Sequence, residues 1–469
     1  MGALFSKVLG LGLLLVMLFA LNCPRSLAQR RVPEPPPPSS SPLARLEIRR
    51  IRLGNGLRVI LNPDRSVPTV AIAVYYDVGS RNEKPGQSGF AHLFEHMMFQ
   101  GSANVKKGEF FALITQRGGS MNGTTSEDRT NYFETLPSNE LALGLWLEAD
   151  RMRSLAVTPE NFENQRAVVI EERRQSYENR PYALSFLRIN ELAYGDYWPY
   201  AHPTIGSMED LEKAQFSAVR EFWEQYYGPN NAVLSVAGDF DPEEALGLIE
   251  RYFGDIPPRP TPPYEPPSFN PPQNERRDVM QDPLAEVPAI HIAWHIPPNR
   301  EPDHYPLEML ALLLGHGQSS RLYRKLVHDM RLLGELEIST DDRRGPDLFS
   351  LFGILTEGHG PEEVERVVYE EIERVGREGP TPREFERIRN QVRSLFYFPL
   401  QNNLNRAKLL AEFEMYYGDA ELIRTELDRY LAVRPEDIQR VAREYLTPVR
   451  RTVLHVMPER KASREGGKP

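Results

Sequence analysis

The 469-residue chain has one cysteine, Cys23. That excludes a disulfide framework and cysteine-rich zinc fingers. No long lysine or arginine run occurs, and 56 basic against 66 acidic side chains leave a net charge of −10. A nucleic-acid partner is therefore not expected, because phosphate binding needs clustered positive charge. Apart from the N-terminus, no stretch approaches the roughly 20 apolar residues that cross a bilayer. Hydrophobic residues make up 40% and charged residues 26%, a globular balance that excludes collagen, coiled coil and wholesale disorder. What is abundant is proline: 41 residues, well above the usual share of roughly 5%, which predicts Pro-rich linkers.

The first 28 residues read as an export signal. Lys7 gives the positive start, Val8 to Leu21 is almost unbroken apolar sequence, and Ser26-Leu27-Ala28 offers a cleavage site before Gln29. Cleavage there removes the only cysteine, which suits an oxidising compartment where a thiol could mispair. The expectation is an exported, periplasmic protein with no stable membrane span after cleavage. The alternatives are anchoring through the uncleaved leader or through a lipidated Cys23.

Residues 29–43 form a Pro/Ser spacer. A second break, 257–274, contains PPRPTPPYEPPSFNPP, in which nine of sixteen residues are proline. Such segments are extended and build no core. They divide the chain into 44–256 and 275–458, with a polar tail at 459–469. The two parts resemble each other. Each opens with a strand-like segment, Val70–Tyr76 and Ala289–Trp294. Each closes with another, Ala232–Val236 after Tyr227-Gly228-Pro229 and Thr452–Val456 after Leu446-Thr447-Pro448. Helical periods lie between, at Leu141–Arg153, Pro361–Gly376 and Pro382–Leu395. The fold class expected is α+β, in two domains that derive from a duplication.

The chemistry concentrates in GFAHLFEHMMFQGS, residues 89–102. On a helix, His92 and His96 lie four apart and share a face, so both imidazoles can hold one metal ion. Glu95, three after His92, can take a proton from water on that metal. Zinc suits imidazole and carboxylate ligands with an open position. The spacing is H-x-x-E-H, the inverse of H-E-x-x-H. Phe90, Leu93, Phe94, Met97, Met98 and Phe99 surround the three polar residues, so the helix is expected to be buried. Burying two imidazoles and a carboxylate without a partner costs several kcal/mol. A third ligand is needed. Glu171 and Glu172 end a helical segment, NFENQRAVVIEERRQ, and adjacent helix residues point about 100° apart, so only one can face the metal. Spacing leaves that choice open.

The inverted motif, followed by GGSMNGTTSEDRTNYFETLP and then QRAVVIEER, resembles the pitrilysin/insulinase family of zinc endopeptidases. That family includes mitochondrial processing peptidase and small bacterial two-domain members. The resemblance implies a pair of homologous α+β domains, each an antiparallel sheet flanked by helices, facing one another across a cavity. It implies one Zn2+ per chain, with Glu172 as third ligand and Glu95 as general base. It also implies that residues 119–133 hold an extended peptide substrate at a strand edge, with Asn122 and Gly123 contacting its backbone. Glu127 and Asp128 are expected to be solvated.

The pattern departs from the family in the second half. Members bring an Arg and a Tyr, seven apart, to polarise the scissile carbonyl. In GHGQSSRLYRKLVHDMRLLGEL these positions fall on Val327 and Gly334, and Arg324, Arg331 and Tyr323 lack the spacing. Gln165 also stands where an acidic residue is common. The expected assembly is thus a heterodimer in which a related subunit supplies the Arg/Tyr pair, or a homodimer using a substitute such as Arg324. The alternative is a non-catalytic structural or assembly subunit. The other histidines, His304 among them, show no ligand spacing and are expected to be structural or surface residues.

Overall fold

The computed structural model describes residues 46–459. The expected leader, the Pro/Ser spacer, Cys23 and the tail beyond Glu459 lie outside the described residues. Among the described residues no helix is long and apolar enough to cross a membrane.

Among the described residues the strands are β1 (Arg49–Arg52), β2 (Arg58–Pro63), β3 (Thr69–Tyr76), β4 (Ser120–Thr125), β5 (Thr130–Pro137), β6 (Ala232–Gly238), β7 (Arg276–Asp282), β8 (Ala289–Ile296), β9 (Leu333–Thr340), β10 (Asp347–Leu355) and β11 (Arg451–Pro458). They form two sheets, ordered β1-β2-β6-β3-β5-β4 and β7-β11-β8-β10-β9. Without β1, the first order repeats the second position by position. In both, the closing strand pairs in parallel with the opening one (β2 with β6, β7 with β11), and the remaining pairs are antiparallel. This is the duplicated α+β architecture that the sequence suggested.

Five helices build the site and join the halves: α1 (Phe90–Met97), α2 (Pro159–Arg173), α3 (Ala183–Tyr194), α4 (His304–Leu314) and α5 (Asn403–Tyr417). The central strands are buried on both faces. In β3, Val70, Ile72, Val74 and Tyr76 pack on the first half's own helices. The alternate residues Ala71, Ala73 and Tyr75 share a core with Ala407, Leu410 and Ala411 of α5. The second half thus lends a helix to the first sheet, where α5 packs on β3 and β6. The exchange is reciprocal. From the first half, α3 packs on β8 and β11, with Ile189 and Ala193 against Ala289, Ala293 and Leu454. Alanines on these inner faces let a helix approach closely.

Between the halves lies a cavity of about 450 Å³, lined by Ser126–Arg129 and α3 from the first and by β8, β10 and Asp341–Arg343 from the second. A clasp closes one side. The loop 341–346 after β9 sends Arg344 Nη1 to Asp77 Oδ1 (2.7 Å) and its own N–H to Asp128 Oδ2 (2.9 Å). Arg343 Nη2 donates to Glu127 Oε1 (3.2 Å). The Pro-rich segment has neither helix nor strand, yet it is pinned to both halves. Arg259 exchanges hydrogen bonds with the Asn230 side chain (2.7 and 2.9 Å) and lies 3.8 Å over the Trp223 ring. Phe269 packs on Tyr194 and His295.

Candidate active site

The motif helix begins where Gly89 takes a left-handed φ of 97°. A Cβ there would sit 2.7 Å from Gly206 Cα, so glycine is required by both φ and space. The first turn has no side-chain cap of its own. Instead, Glu83 reaches in from the preceding turn. The Gly89 N–H donates to its Oε2 (2.8 Å) and the Ala91 N–H to its Oε1 (2.7 Å). A carboxylate here satisfies orphan donors and complements the helix dipole. Glu83 is itself buried and paired with His202 Nε2 at 3.1 Å. The apolar side of α1 then packs through Phe90, Leu93, Phe94 and Met97, all buried, which leaves His92, Glu95 and His96 on the remaining side.

α2 begins at Thr158, whose hydroxyl accepts from the Asn161 N–H, with Pro159 in the first turn. It runs against α1 and carries Glu172 to the histidines. His96 Nε2 is 3.1 Å from Glu172 Oε2, and His92 Nε2 is 3.8 Å from Glu172 Oε1. The ligand atoms of the three residues lie within 4.8 Å of one another. Glu171 points elsewhere, accepting from Gln175 Nε2 (2.9 Å) and pairing with Arg174. So of the two adjacent glutamates the structure brings Glu172 to the histidines. The donor set of two imidazoles and a carboxylate fits a zinc ion. Burial, and then the adjacent His96, lower the His92 imidazole to about 4, which keeps it neutral, the form that ligates. Its Nδ1 is buried without a hydrogen-bond partner among the described residues. The hydrogen bond with His96 holds the Glu172 carboxyl below its ordinary value.

Glu95 faces the edge strand β4. Its Oε2 accepts a 2.6 Å hydrogen bond from Thr125 Oγ1. A Cβ on Gly123 would lie 3.0 Å from Glu95 Cγ and 3.2 Å from Tyr132 Cδ1, so Gly123 makes room for the Glu95 side chain. Burial pushes the Glu95 carboxyl up, partly offset by the Thr125 hydrogen bond and His96. Asn122, which alternates with Gly123, is exposed, and its Oδ1 accepts from the Gly123 N–H (2.9 Å). β4 ends the first sheet and pairs only with β5 among the described strands.

Several expectations are corrected. Asp128 is not solvated: it is 3% exposed and accepts from Arg81 Nη1 (2.9 Å) and Tyr200 OH (3.0 Å). Glu127 pairs with Arg343. Both belong to the clasp, because the loop that meets them comes from a sequence-distant half. In the second half, Val327 packs against the core and Gly334 is the second residue of β9. Arg324 is a surface residue near Asp329. The roles of Glu83 and the clasp arginines were not legible in the sequence, and that of Thr125 was not read from it. Thr125 had a usable signal, its two-residue spacing from Gly123 on one strand face. His304 is fully buried and lies close to Glu308 and Asp342.

Two duplicated α+β halves around a cavity, with a His/His/Glu cluster on paired helices, define a metallopeptidase architecture. Residues 58–200 match the family described as Insulinase (Peptidase family M16), and residues 213–392 match the Peptidase M16 inactive domain. The chain belongs to peptidase family M16, with both its N-terminal and C-terminal domains. The zinc protease PqqE of Helicobacter pylori is 28% identical over 87% of this chain and 92% of its own length. An uncharacterized zinc protease of Mycobacterium tuberculosis is 27% identical over 87% and 93%. The crystal structure of a protease from Helicobacter pylori superimposes with a TM-score of 0.83, at 27% identity, covering 88% of this chain and all of that one.

Proposed function

We propose that the chain is a zinc-dependent endopeptidase acting on extended peptides or unfolded polypeptides. One observation carries this: His92, His96 and Glu172 converge within 4.8 Å beside the Glu95 carboxylate. His92, His96 and Glu172 would hold one zinc ion. Bound there, zinc supplies a Lewis acid that polarises the substrate carbonyl and makes water acidic.

Glu95 has a half-buried carboxylate whose pKa is raised by desolvation, poised closer to neutrality than a solvated one and so better matched to proton transfer. Thr125 fixes Oε2, which leaves Oε1 to accept a proton from the attacking water. Glu95 then passes that proton to the amide nitrogen as the C–N bond breaks. The free side of β4 would receive the peptide backbone as an added strand, with Asn122 and Gly123 contacting it on the strand that borders Glu95. The Val327 and Gly334 positions support a catalytic subunit completed by a related chain that supplies the Arg/Tyr pair. The reading of residues 1–28 as an export signal supports action in the periplasm.

The test is casein cleavage by the chain purified from Gln29 onward, with zinc measured on the same sample and Glu95→Gln as control. The mutant is expected to retain zinc while losing activity by about 10³-fold, within the range for a general base. Zinc-loaded chain that is inactive alone supports the partner; activity alone removes the need for one. A chain that purifies without zinc and takes none up would overturn the reading.

A further inference from the structure

A second group of ligand-type side chains lies in the other half, away from the motif helix. His304 opens α4, Glu308 follows one turn later on the same face, and Asp342 comes from the clasp loop after β9. His304 Nε2 is 3.9 Å from Glu308 Oε1 and 4.0 Å from Asp342 Oδ1. His304 is 0% exposed, and its Nε2 is buried with no hydrogen-bond partner among the described residues.

The distances separate an ion site from an ordinary buried pair. Two other buried histidines that face a glutamate close onto it: His202 Nε2 is 3.1 Å from Glu83 and His455 Nε2 is 2.6 Å from Glu365. His304 Nε2 faces two carboxylates and closes onto neither, beyond hydrogen-bonding range. Atoms that share one ion at about 2.0–2.2 Å sit roughly 3–4 Å apart; the two distances from His304 stand at the upper end of that range, and the three ligand atoms lie within 4.8 Å of one another.

The surroundings prepare each ligand. His304 Nδ1 donates to the Pro297 carbonyl oxygen (3.1 Å). A carbonyl only accepts, so in the neutral ring the lone pair is on Nε2, directed at the carboxylates. Such a hydrogen bond on the far nitrogen is the usual support for a ligating imidazole. The Tyr430 hydroxyl donates to Glu308 Oε2, which orients Oε1 towards His304. A third buried carboxylate, Asp347, lies 3.9 Å from His304 Nδ1 on the other side of the ring, and Arg343, the residue after Asp342, is engaged with Tyr194, Glu127 and Asp341.

We propose that His304, Glu308 and Asp342 form a second divalent-cation site, of the Zn2+ or Mn2+ class. Imidazole with carboxylates suits such ions over Mg2+ or Ca2+, which favour all-oxygen shells. The ion would tie α4 to the loop whose next two residues, Arg343 and Arg344, grip the first half. It would therefore be a structural pin for the clasp, separate from the chemistry at Glu95.

The test uses the full mature chain with the motif site disabled by His92→Ala and His96→Ala. Equilibrium dialysis against ZnCl2, and separately MnCl2, is followed by metal analysis. The double variant is expected to bind about one equivalent with micromolar affinity or tighter, and its unfolding temperature is expected to rise by several degrees with the metal, since a ligand that binds only the folded state stabilises it. Adding Glu308→Gln should remove both effects. Glu308→Gln preserves shape and keeps an acceptor for Tyr430; Asp342→Asn serves as an independent variant if it does not fold. No bound cation in the His92→Ala/His96→Ala chain overturns the proposal. So does binding unchanged by both Glu308→Gln and Asp342→Asn, which marks adventitious surface sites. Because the motif histidines are absent throughout, the result is independent of whether the chain is a peptidase.

Discussion

At the scale of single residues, the site is set by what surrounds the charged groups. His92 shows this. Its ordinary value of 6.5 falls to about 4 in the folded chain, because burial and His96 disfavour the imidazolium. Between those values the unfolded chain binds a proton that the folded chain refuses. The contribution of His92 to stability is therefore fully present above about pH 6.5 and is lost as pH falls through about 4. Urea unfolding of the zinc-free chain should show a midpoint lower at pH 5 than at pH 7, and His92→Leu should flatten that difference. A pH response unchanged in His92→Leu would assign it to other groups. Gly123 shows the steric counterpart. Gly123→Ala places a methyl 3.0 Å from Glu95 Cγ, so the carboxylate must shift by a few tenths of an ångström. Zinc content should hold while kcat falls by about 10-fold, since misplacements of about 1 Å cost about 10²-fold. Unaltered kcat would show that Glu95 tolerates displacement.

At the scale of elements, the motif helix depends on a carboxylate that is not part of the motif. Glu83 accepts two N–H groups of the first turn of α1 and is held by His202. Glu83→Ala removes the cap and strands the imidazole of His202 in a buried place. The expected loss is about 1–2 kcal/mol from the cap, read from urea unfolding, together with weaker zinc retention because His92 and His96 are carried by the same helix. Stability lost with zinc affinity unchanged would show that the helix geometry does not depend on this cap. Elements also mark where the sequence was legible. Strands β3, β6, β8 and β11 and the helix Pro382–Leu400 arise from local apolar periods and from caps such as Thr381 with Glu384. The i, i+4 spacing of His92 and His96 is equally local. The edge position of β4 is not, because strand order depends on partners far along the chain. Glu83 was missed for a similar reason: a cap six residues upstream, turned back by Gly86 and Gly89, leaves no periodic trace. The side-swapping of α3 and α5 onto the opposite sheets was also hidden, although the alanines of β3 and β8 record it once the partner helices are known.

At the scale of the whole molecule, the two halves are held by swapped helices and by one buried polar clasp. Asp128 is its centre. It accepts from Arg81 Nη1, from Tyr200 OH and from the Arg344 N–H, so both halves and the α3-to-β6 connection meet on one carboxylate. The loop that leaves β4 just after Thr125 therefore carries the group that docks the second half. Disturbing the clasp should reach Glu95 through β4 without touching the ligands. Asp128→Ala leaves Arg81 deep in the structure with only the partly exposed Asp77, and removing one partner of a buried charge pair costs about 3–5 kcal/mol. The expected outcome is a lower unfolding midpoint, faster limited proteolysis in the Pro-rich segment 257–274, and reduced cleavage of casein with zinc content retained. Asp128→Asn, which keeps the shape and one acceptor, should fall between the mutant and the natural chain. If Asp128→Ala lowers stability while casein cleavage stays at its original rate, the halves are joined by the swapped helices alone and the clasp does not transmit to the site.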